Sequence, residues 1–370
     1  EQNTDGTYGV VVDPAYGKVA KIGNKYYANF EEAFAAVQAG ETLTLLADLN
    51  LSDILTINKA ITFDGNGKTL TSTAGRAINV SGAEANGVKI QNLTINASGE
   101  RAINVINGAT NVIVENVTAT AANYTVNLAG SATNAVVTVK NSNLTGLNVV
   151  NVAAAGAQVT VDNSTVNCND NNTTVGESYA ALCLNKDAVG ASIVATNTTV
   201  NVTEGSDSTK GRNGAENGTV TINGSTEGVT VMVAVITYSG SDYYHAFATI
   251  EAAIEFAKEG DTITLIRDVT MDYNARDAYE TQAQNVVIDG NGKTLTLNQK
   301  NSDWASIGLA NNSKLVLNNM TIEKTGYGDT SGAWNTHAII FTCPVEMNDV
   351  TVNNSIGVQA GATLNNVDLV

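Results

Sequence analysis

The side chains best suited to binding a ligand lie in two insertions, residues 271–284 and 323–337, that interrupt an otherwise repetitive sequence. Both insertions place aromatic rings beside carboxylates and amides, groups that suit stacking on sugars and recognition of their hydroxyls. Insertions often carry function in repeat proteins, although ordinary loops that pack their aromatic rings on the repeat beneath would have the same composition. The candidate ligand-binding residues are Tyr273, Arg276, Asp277, Tyr279, Tyr327, Asp329, Trp334 and His337.

Two groups of residues could take part in metal binding or thiol chemistry. The carboxylates of residues 271–284 could hold calcium, because Ca²⁺ prefers oxygen ligands. The three cysteines, Cys168, Cys183 and Cys343, lack the CxxC or Cys/His spacing of zinc sites. Cys168 and Cys183 could form a disulfide, or all three could be buried free thiols.

Catalytic chemistry has little support in the sequence. Hydrolysis of a glycosidic bond needs two carboxylates that face each other across the bond. Between residues 77 and 165 the acidic residues are few and scattered, at Glu84, Glu100, Glu115 and Asp162. We therefore assign no catalytic residue.

Composition points to strands and turns in an extracellular setting. Hydrophobic residues make up 43% of the 370 residues and charged residues only 15%, against about 25% charged residues in a typical soluble domain. With only 2 prolines, turns must rely on Asn and Gly. The net charge of −17 disfavours nucleic acid and anionic membranes as partners, and no apolar run is long enough to predict membrane insertion.

A short repeat runs through the chain and predicts its fold. Alternating apolar strands end at an Asn or its equivalent, first at spacings of 24, 25 and 22 residues. Each period holds three short strands, which is one coil of a parallel β-helix rather than a propeller blade. An antiparallel sandwich with Asn-rich hairpins is the weaker alternative. The nine junction residues are Asn92, Asn116, Asn141, Asn163, Asn197, Gly224, Asn319, Asp349 and Asn366.

The same repeat predicts which side chains face inward. In residues 88–95 we expect Val88, Ile90, Leu93 and Ile95 to enter the core, with the residues between them outside. The junction Asn is expected to adopt the left-handed conformation that a sharp corner needs. Stacked Asn side chains should then hydrogen-bond from coil to coil as a ladder.

A larger duplication predicts two tandem solenoids. Amphipathic helices near residues 30–39 and 249–258 each precede a Thr-rich strand and, later, an identical Asp-Gly-Asn-Gly-Lys-Thr-Leu-Thr segment. Such a helix would cover the open end of a solenoid. We therefore expect the tail of a preceding module or a linker at 1–19, one β-helix at 20–233 and a second, C-terminally truncated one at 234–370.

The order of cap helix, strand and Asp-Gly-Asn-Gly-Lys-Thr segment resembles the start of pectate-lyase-like right-handed parallel β-helix proteins. Within them it is most similar to modular adhesin-like surface proteins of gut bacteria. The resemblance implies an all-β, right-handed parallel β-helix. Together with the duplication, the acidic composition and the absent catalytic motifs, it favours a non-catalytic protein that is secreted or on the cell surface and binds glycans or host or matrix ligands. We expect the protein to be a monomer. A lyase or hydrolase of acidic polysaccharide, and a passive stalk or spacer, remain alternative interpretations.

Three smaller patterns have plain structural interpretations. Arg76 and Arg101 recur one repeat apart and could line a groove for acidic sugars, or form a solvated corner with Glu100. The Asp-Gly-Asn-Gly-Lys segments favour a tight turn over a calcium loop, because the remaining EF-hand ligands are missing. Thr-x-Thr pairs at 42–44, 69–71 and 262–264 could suggest an ice-binding surface. We do not expect them to recur from coil to coil, so we interpret them as ordinary outward residues.

Overall fold

The computed structural model describes residues 13–170, 179–238, 244–273, 278–300, 307–326 and 339–370. The chain divides into two compact units, Glu1–Val229 and Thr230–Val370. Over the described residues both consist mainly of short β-strands, with one short α-helix in each. Among the described residues both α-helices have seven residues, and neither is long or apolar enough to cross a membrane.

The first unit begins with two short strands and helix α1 (Phe30–Ala36), and a 3₁₀ turn follows at Ala83–Ala85. The strands up to the boundary are β1 (Ala20–Ile22), β2 (Lys25–Tyr27), β3 (Thr42–Leu45), β4 (Leu49–Leu51), β5 (Leu55–Ile57), β6 (Thr62–Asp64), β7 (Thr69–Ser72), β8 (Arg76–Ser81), β9 (Lys89–Ala97), β10 (Arg101–Ile106), β11 (Val112–Ala121), β12 (Tyr124–Leu128), β13 (Val136–Lys140), β14 (Asn143–Gly146), β15 (Val150–Val152), β16 (Gln158–Asp162), β17 (Thr165–Cys168), β18 (Ala180–Leu184), β19 (Ser192–Thr196), β20 (Thr199–Val202), β21 (Thr209–Asn213), β22 (Thr219–Ile222) and β23 (Val229–Val231).

These strands form three parallel series that the chain visits in turn. One series runs β3-β6-β9-β11-β13-β16-β19-β22, and the second runs β4-β7-β9-β11-β14-β17-β20. The third runs β5-β8-β10-β12-β15-β18-β21. Each period of the sequence therefore adds one strand to each series, which gives long parallel sheets as in a β-helix.

The predicted inward positions are confirmed. Val88, Ile90 and Ile95 are fully buried and Leu93 is nearly so, and their counterparts in neighbouring strands join them in one continuous core. The core forms because parallel pairing places like positions above one another, so each strand buries its apolar face only beside its neighbours.

The predicted left-handed corners are confirmed at all nine junction residues. The φ angles are +52° at Asn92, +54° at Asn116 and +51° at Asn141. Asn tolerates this conformation better than other non-glycine residues, because its short polar side chain can hydrogen-bond locally. The other junction residues with positive φ are Asn163, Asn197, Gly224, Asn319, Asp349 and Asn366.

Helix α1 packs its buried side chains into the first core. Phe30 is buried and its ring lies 6.2 Å from that of Phe63. The N-cap Asn29 accepts the amide of Glu32 at 2.9 Å, and Lys59 donates to the carbonyl of Val37 at 2.6 Å. The helix ends at Ala36, short of the predicted residue 39, because Val37 adopts an extended conformation.

The two glycines of the duplicated Asp-Gly-Asn-Gly turn are needed for different structural reasons. Gly67 has a φ of +74°, which glycine adopts without strain. Gly65 is needed for a different reason: a Cβ there would lie 2.6 Å from the carbonyl oxygen of Asn92. In the second unit a Cβ on Gly290 would meet the Cβ of Met320. The first glycine therefore lets the next coil approach closely.

The second unit repeats this plan with helix α2 (Ile250–Phe256) and a 3₁₀ turn at Ala310–Asn312. Its longest described sheet has the order β25-β24-β26-β29-β32-β30-β27, with β34 and β36 continuing from β32. The remaining strands are β24 (Ala234–Thr237), β25 (Tyr244–Phe247), β26 (Thr262–Leu265), β27 (Val269–Tyr273), β28 (Ala278–Tyr279), β29 (Asn285–Asp289), β30 (Thr294–Gln299), β31 (Gly308–Leu309), β32 (Lys314–Gly326), β33 (Ile339–Phe341), β34 (Val345–Val352), β35 (Ile356–Val358) and β36 (Ala362–Leu369).

Candidate functional site

The structure describes two of the eight candidate ligand-binding residues. Tyr273 is only 3% exposed, and its hydroxyl donates to Gln299 Oε1 at 3.1 Å within the second core. Its ring therefore has no outward surface for a sugar. Tyr279 is half-buried and packs against the same core. Arg276, Asp277, Tyr327, Asp329, Trp334 and His337 lie outside the described residues, and their binding role stays a prediction.

The carboxylates of Asp64 and Asp272 bond to nitrogen donors of the protein. Asp64 accepts hydrogen bonds from the Asn66 backbone and from the Asn92 and Gln91 side chains, as in a tight turn. Asp272 forms an ion pair with Lys300 at 3.0 Å. Among the residues that the structure describes, no three His, Cys, Asp or Glu side chains are grouped to hold a metal ion.

Arg76 and Arg101 stack one coil apart, as their spacing predicts. Arg101 forms an ion pair with Glu100 at 3.0 Å and lies 5.3 Å from the ring centre of Tyr124. Burial raises the pKa of the Tyr124 hydroxyl. These contacts favour the corner interpretation over a groove for acidic sugars.

The cysteines are buried free thiols in the structure. Burial raises the pKa of Cys168 and of Cys343, so both are poor nucleophiles at neutral pH. Cys183 accepts a hydrogen bond from Arg212 at 3.2 Å and is fully buried. None of the three presents an accessible thiol.

The most regular polar surface lies on the outer side of the second strand series. Parallel pairing places the outward residues of β7, β9, β11, β14, β17 and β20 directly above one another. They form two columns of six, which we call the Thr/Asn face. One column is Thr69, Thr94, Thr118, Asn143, Thr165 and Thr199, and the other is Thr71, Asn96, Thr120, Thr145, Asn167 and Asn201.

The Thr/Asn face is an uncharged lattice of hydroxyls and amides. Successive coils are about 4.8 Å apart, and the two columns are about 6.7 Å apart because outward residues alternate along a strand. All twelve side chains are exposed or half-exposed. The inward residues between them, among them Leu70, Ile95 and Leu144, are fully buried and anchor the strands.

Amide ladders run along and beside this face. Within it, Asn201 donates to Asn167 at 2.8 Å, and Asn167 donates to Asn143 at 2.9 Å. At the adjoining corner, Asn116 donates to Asn92 at 2.8 Å. Shallow grooves of about 340 and 410 Å³ follow that corner, and their walls consist of Asn, Thr, Ser, Gly and Leu residues between positions 66 and 199.

Over the next five coils the Thr-x-Thr pair at 69–71 recurs as two threonines only at Thr118 and Thr120, but a broader recurrence was not foreseen. In each of the next five coils, both equivalent positions are Thr or Asn. Asn replaces Thr at several of them, so the recurrence appears only once strand register is known. The signal available in the sequence was a Thr or Asn at alternate positions just after each junction Asn.

The described strands of the second unit repeat this pattern only in part: one column stacks Thr294, Thr321 and Thr351 and then continues to Asp368. Thr296 pairs with Glu323, and the Asp272–Lys300 ion pair lies nearby in the same sheet. Hydrogen bonding with Lys300 lowers the pKa of the Asp272 carboxyl. Both columns are therefore uncharged over six coils in the first unit, whereas each column of the described strands in the second unit contains a carboxylate.

No family model, no curated protein and no solved structure matches this chain. The candidate site therefore depends on the geometry of the chain itself.

Proposed function

We propose that both units are right-handed parallel β-helices and that the chain is a non-catalytic, adhesin-like extracellular protein. In this proposal it binds an uncharged glycan along the Thr/Asn face of the first unit. The observation that carries the proposal is the unbroken register of twelve outward Thr and Asn side chains over six coils.

Hydroxyls and amides match sugars chemically. Each Thr hydroxyl donates one hydrogen bond and accepts others, and each Asn amide offers two donors and an acceptor. Sugar hydroxyls have the same dual character, so an extended glycan could pair with every coil. The face carries no charge, and the net charge of −17 disfavours polyanions as ligands.

Binding suits this face better than catalysis. None of its twelve side chains titrates near neutral pH, so the face cannot supply the acid and base that glycoside hydrolysis requires. The secreted or surface location is a further proposal. It rests on the low charged fraction of 15%, because the three free thiols provide no disulfide in support of it.

The test measures binding of the full chain to neutral and acidic glycans on an array, with and without calcium. The double variant Thr118→Val, Thr120→Val removes two central hydroxyls and keeps strong strand propensity. Two lost hydrogen bonds of about 1 kcal/mol each should weaken binding about thirtyfold. The matched control Thr138→Val, Thr160→Val alters outward residues of β13 and β16 and should leave binding unchanged.

Three outcomes would contradict the proposal. If binding survives the face variant but is lost in Trp334→Ala or Tyr279→Ala, the site lies in the insertions of the second unit. Binding of acidic glycans with double-bond absorbance on digestion would indicate a lyase. A chain that binds no glycan under any condition would be better explained as a spacer.

A further inference from the structure

We infer that the Thr/Asn face binds the ordered surface of packed, uncharged polysaccharide chains rather than a single dissolved chain. The inference rests on the proposed function and specifies its ligand class. It follows from the shape, rigidity and charge of the face.

The face extends in two directions, along the strands and from coil to coil, and five residues of its first column also line the shallow corner grooves. Its two columns belong to one strand series, so all twelve residues share one side of one sheet. Thr and Asn side chains are short, so none rises far above its neighbours. A ligand can contact both columns over all six coils only if its own surface is flat.

A dissolved oligosaccharide would find little enclosure here. Small-ligand sites are concave and bury most of the ligand surface. The grooves at the adjoining corner are shallow, with volumes of about 340 and 410 Å³, and the described residues that line them include no aromatic ring. Affinity must therefore come from the number of simultaneous contacts, which a packed fibre surface provides.

The lattice is held rigid before any ligand arrives. Thr has restricted side-chain rotation because it is β-branched. The amides of Asn167 and Asn201 are fixed by their ladder bonds, and the strands are anchored by buried residues such as Leu144 and Val166. Little conformational entropy remains to be lost on binding, which favours a ligand that is itself rigid.

The absence of cations on the face and the negative net charge disfavour polyanionic fibres as ligands. The face offers no cation for a polyanionic fibre, and the net charge of −17 repels one. Binding that depends on hydroxyl and amide contacts should also change little with salt, since no ion pair is formed.

The experiment measures binding of the full chain to particulate and dissolved forms of the same polysaccharide. Microcrystalline cellulose and crystalline chitin are the particulate probes, and cellohexaose and chitohexaose are the dissolved ones. We expect particles to bind tighter per site by on the order of 100-fold, with no displacement by the hexasaccharides and no loss of binding in high salt.

The variant Thr120→Tyr separates a flat ligand from a single chain. Its ring would stand above the lattice and hold a flat surface away from neighbouring coils, whereas a flexible chain could pass around it or stack on it. Particle binding should fall at least about tenfold, since several coils lose contact together. The matched control Thr160→Tyr, on the exposed side of β16, should not change it.

Failure of this inference and failure of the proposed function give different results. Equal affinity for hexasaccharides and particles, with both unaffected by Thr120→Tyr, would overturn the ordered-surface inference while glycan binding stands. No binding to either form of any glycan would overturn both. Slowed growth of ice crystals without polysaccharide binding would also overturn both and would indicate that the lattice matches ordered water instead.

Discussion

A buried ladder of asparagines in the third strand series provides the sharpest test of what holds the first unit together. Asn127 donates to Asn104 at 2.7 Å and accepts from Asn151 at 2.6 Å. The three residues are 3%, 1% and 3% exposed, respectively. Asn127→Leu keeps the number and branching of the side-chain heavy atoms and removes both hydrogen bonds.

The expected cost follows from the partners that remain. Asn104 keeps a hydrogen bond from Arg101 at 3.4 Å. Asn151 loses its acceptor, and its own Oδ1 is already buried with no hydrogen-bond partner among the described residues. Two lost hydrogen bonds of about 1 kcal/mol each, with an added penalty for the buried donor, give a destabilisation of about 3 kcal/mol.

The matched control is Asn167→Leu. Asn167 is also the middle of a ladder, between Asn143 and Asn201, but it is half-exposed. Water can replace its partners, so we expect a loss below about 1 kcal/mol. The comparison therefore varies burial while the ladder geometry stays the same.

Urea unfolding can measure the two units separately. Both tryptophans, Trp304 and Trp334, belong to the second unit, so their fluorescence reports that unit, whereas circular dichroism reports both. Asn127→Leu should lower the midpoint of the first unit with an unchanged slope and leave the fluorescence transition in place. Equal stability of Asn127→Leu and Asn167→Leu would refute the idea that buried amide bonds stabilise the sheet.

Two further predictions concern the coil junctions and an ion pair. Gly65→Ala should destabilise the first unit by several kcal/mol in urea unfolding, because its Cβ would meet backbone atoms. The control Gly75→Ala, whose Cβ would have nothing within 4 Å, should change stability by less than about 1 kcal/mol. Similar effects of the two variants would contradict the close-approach argument. Glu115 contacts Lys89 at 2.5 Å and Lys140 at 3.0 Å, and hydrogen bonding with Lys89 and then Lys140 lowers its pKa from the ordinary value of 4.5. A lowered pKa stabilises the fold above the ordinary value and loses that effect as pH falls through the lowered one, so Glu115→Gln should cost at most about 1 kcal/mol at neutral pH and almost nothing in acid, whereas a pH-independent cost would contradict the assignment.

Much of the first unit could be predicted because its information is local. The alternation around Val88 and Ile90 fixes which side is buried, and a left-handed residue such as Asn92 marks where the chain turns. The cap helix was predicted, but its end at Ala36 was not, because the extended conformation of Val37 depends on the strand that follows. The role of Gly65 could not be predicted either, since it depends on how closely the next coil approaches.

The Thr/Asn face was harder to predict because each of its columns is built from residues of successive coils. Asn143 replaces Thr in one column and Asn167 in the other, and the spacing from Asn163 to Asn197 is 34 residues, so the columns align only through pairing. The burial of Tyr273, in contrast, could have been predicted. It follows Val269 and Met271 at alternate positions, and all three side chains face the core.

The amide ladders of the first unit also have a direction. In the pairs Asn116–Asn92, Asn127–Asn104 and Asn201–Asn167, the later coil donates and the earlier coil accepts. Aligned amide dipoles add, and the donor end of the corner ladder meets the carboxylate of Asp64. The two ends of the corner ladder therefore carry opposite partial charges. A polysaccharide chain is also directional, with one reducing end, so the two orientations of a bound chain along these columns should differ in energy.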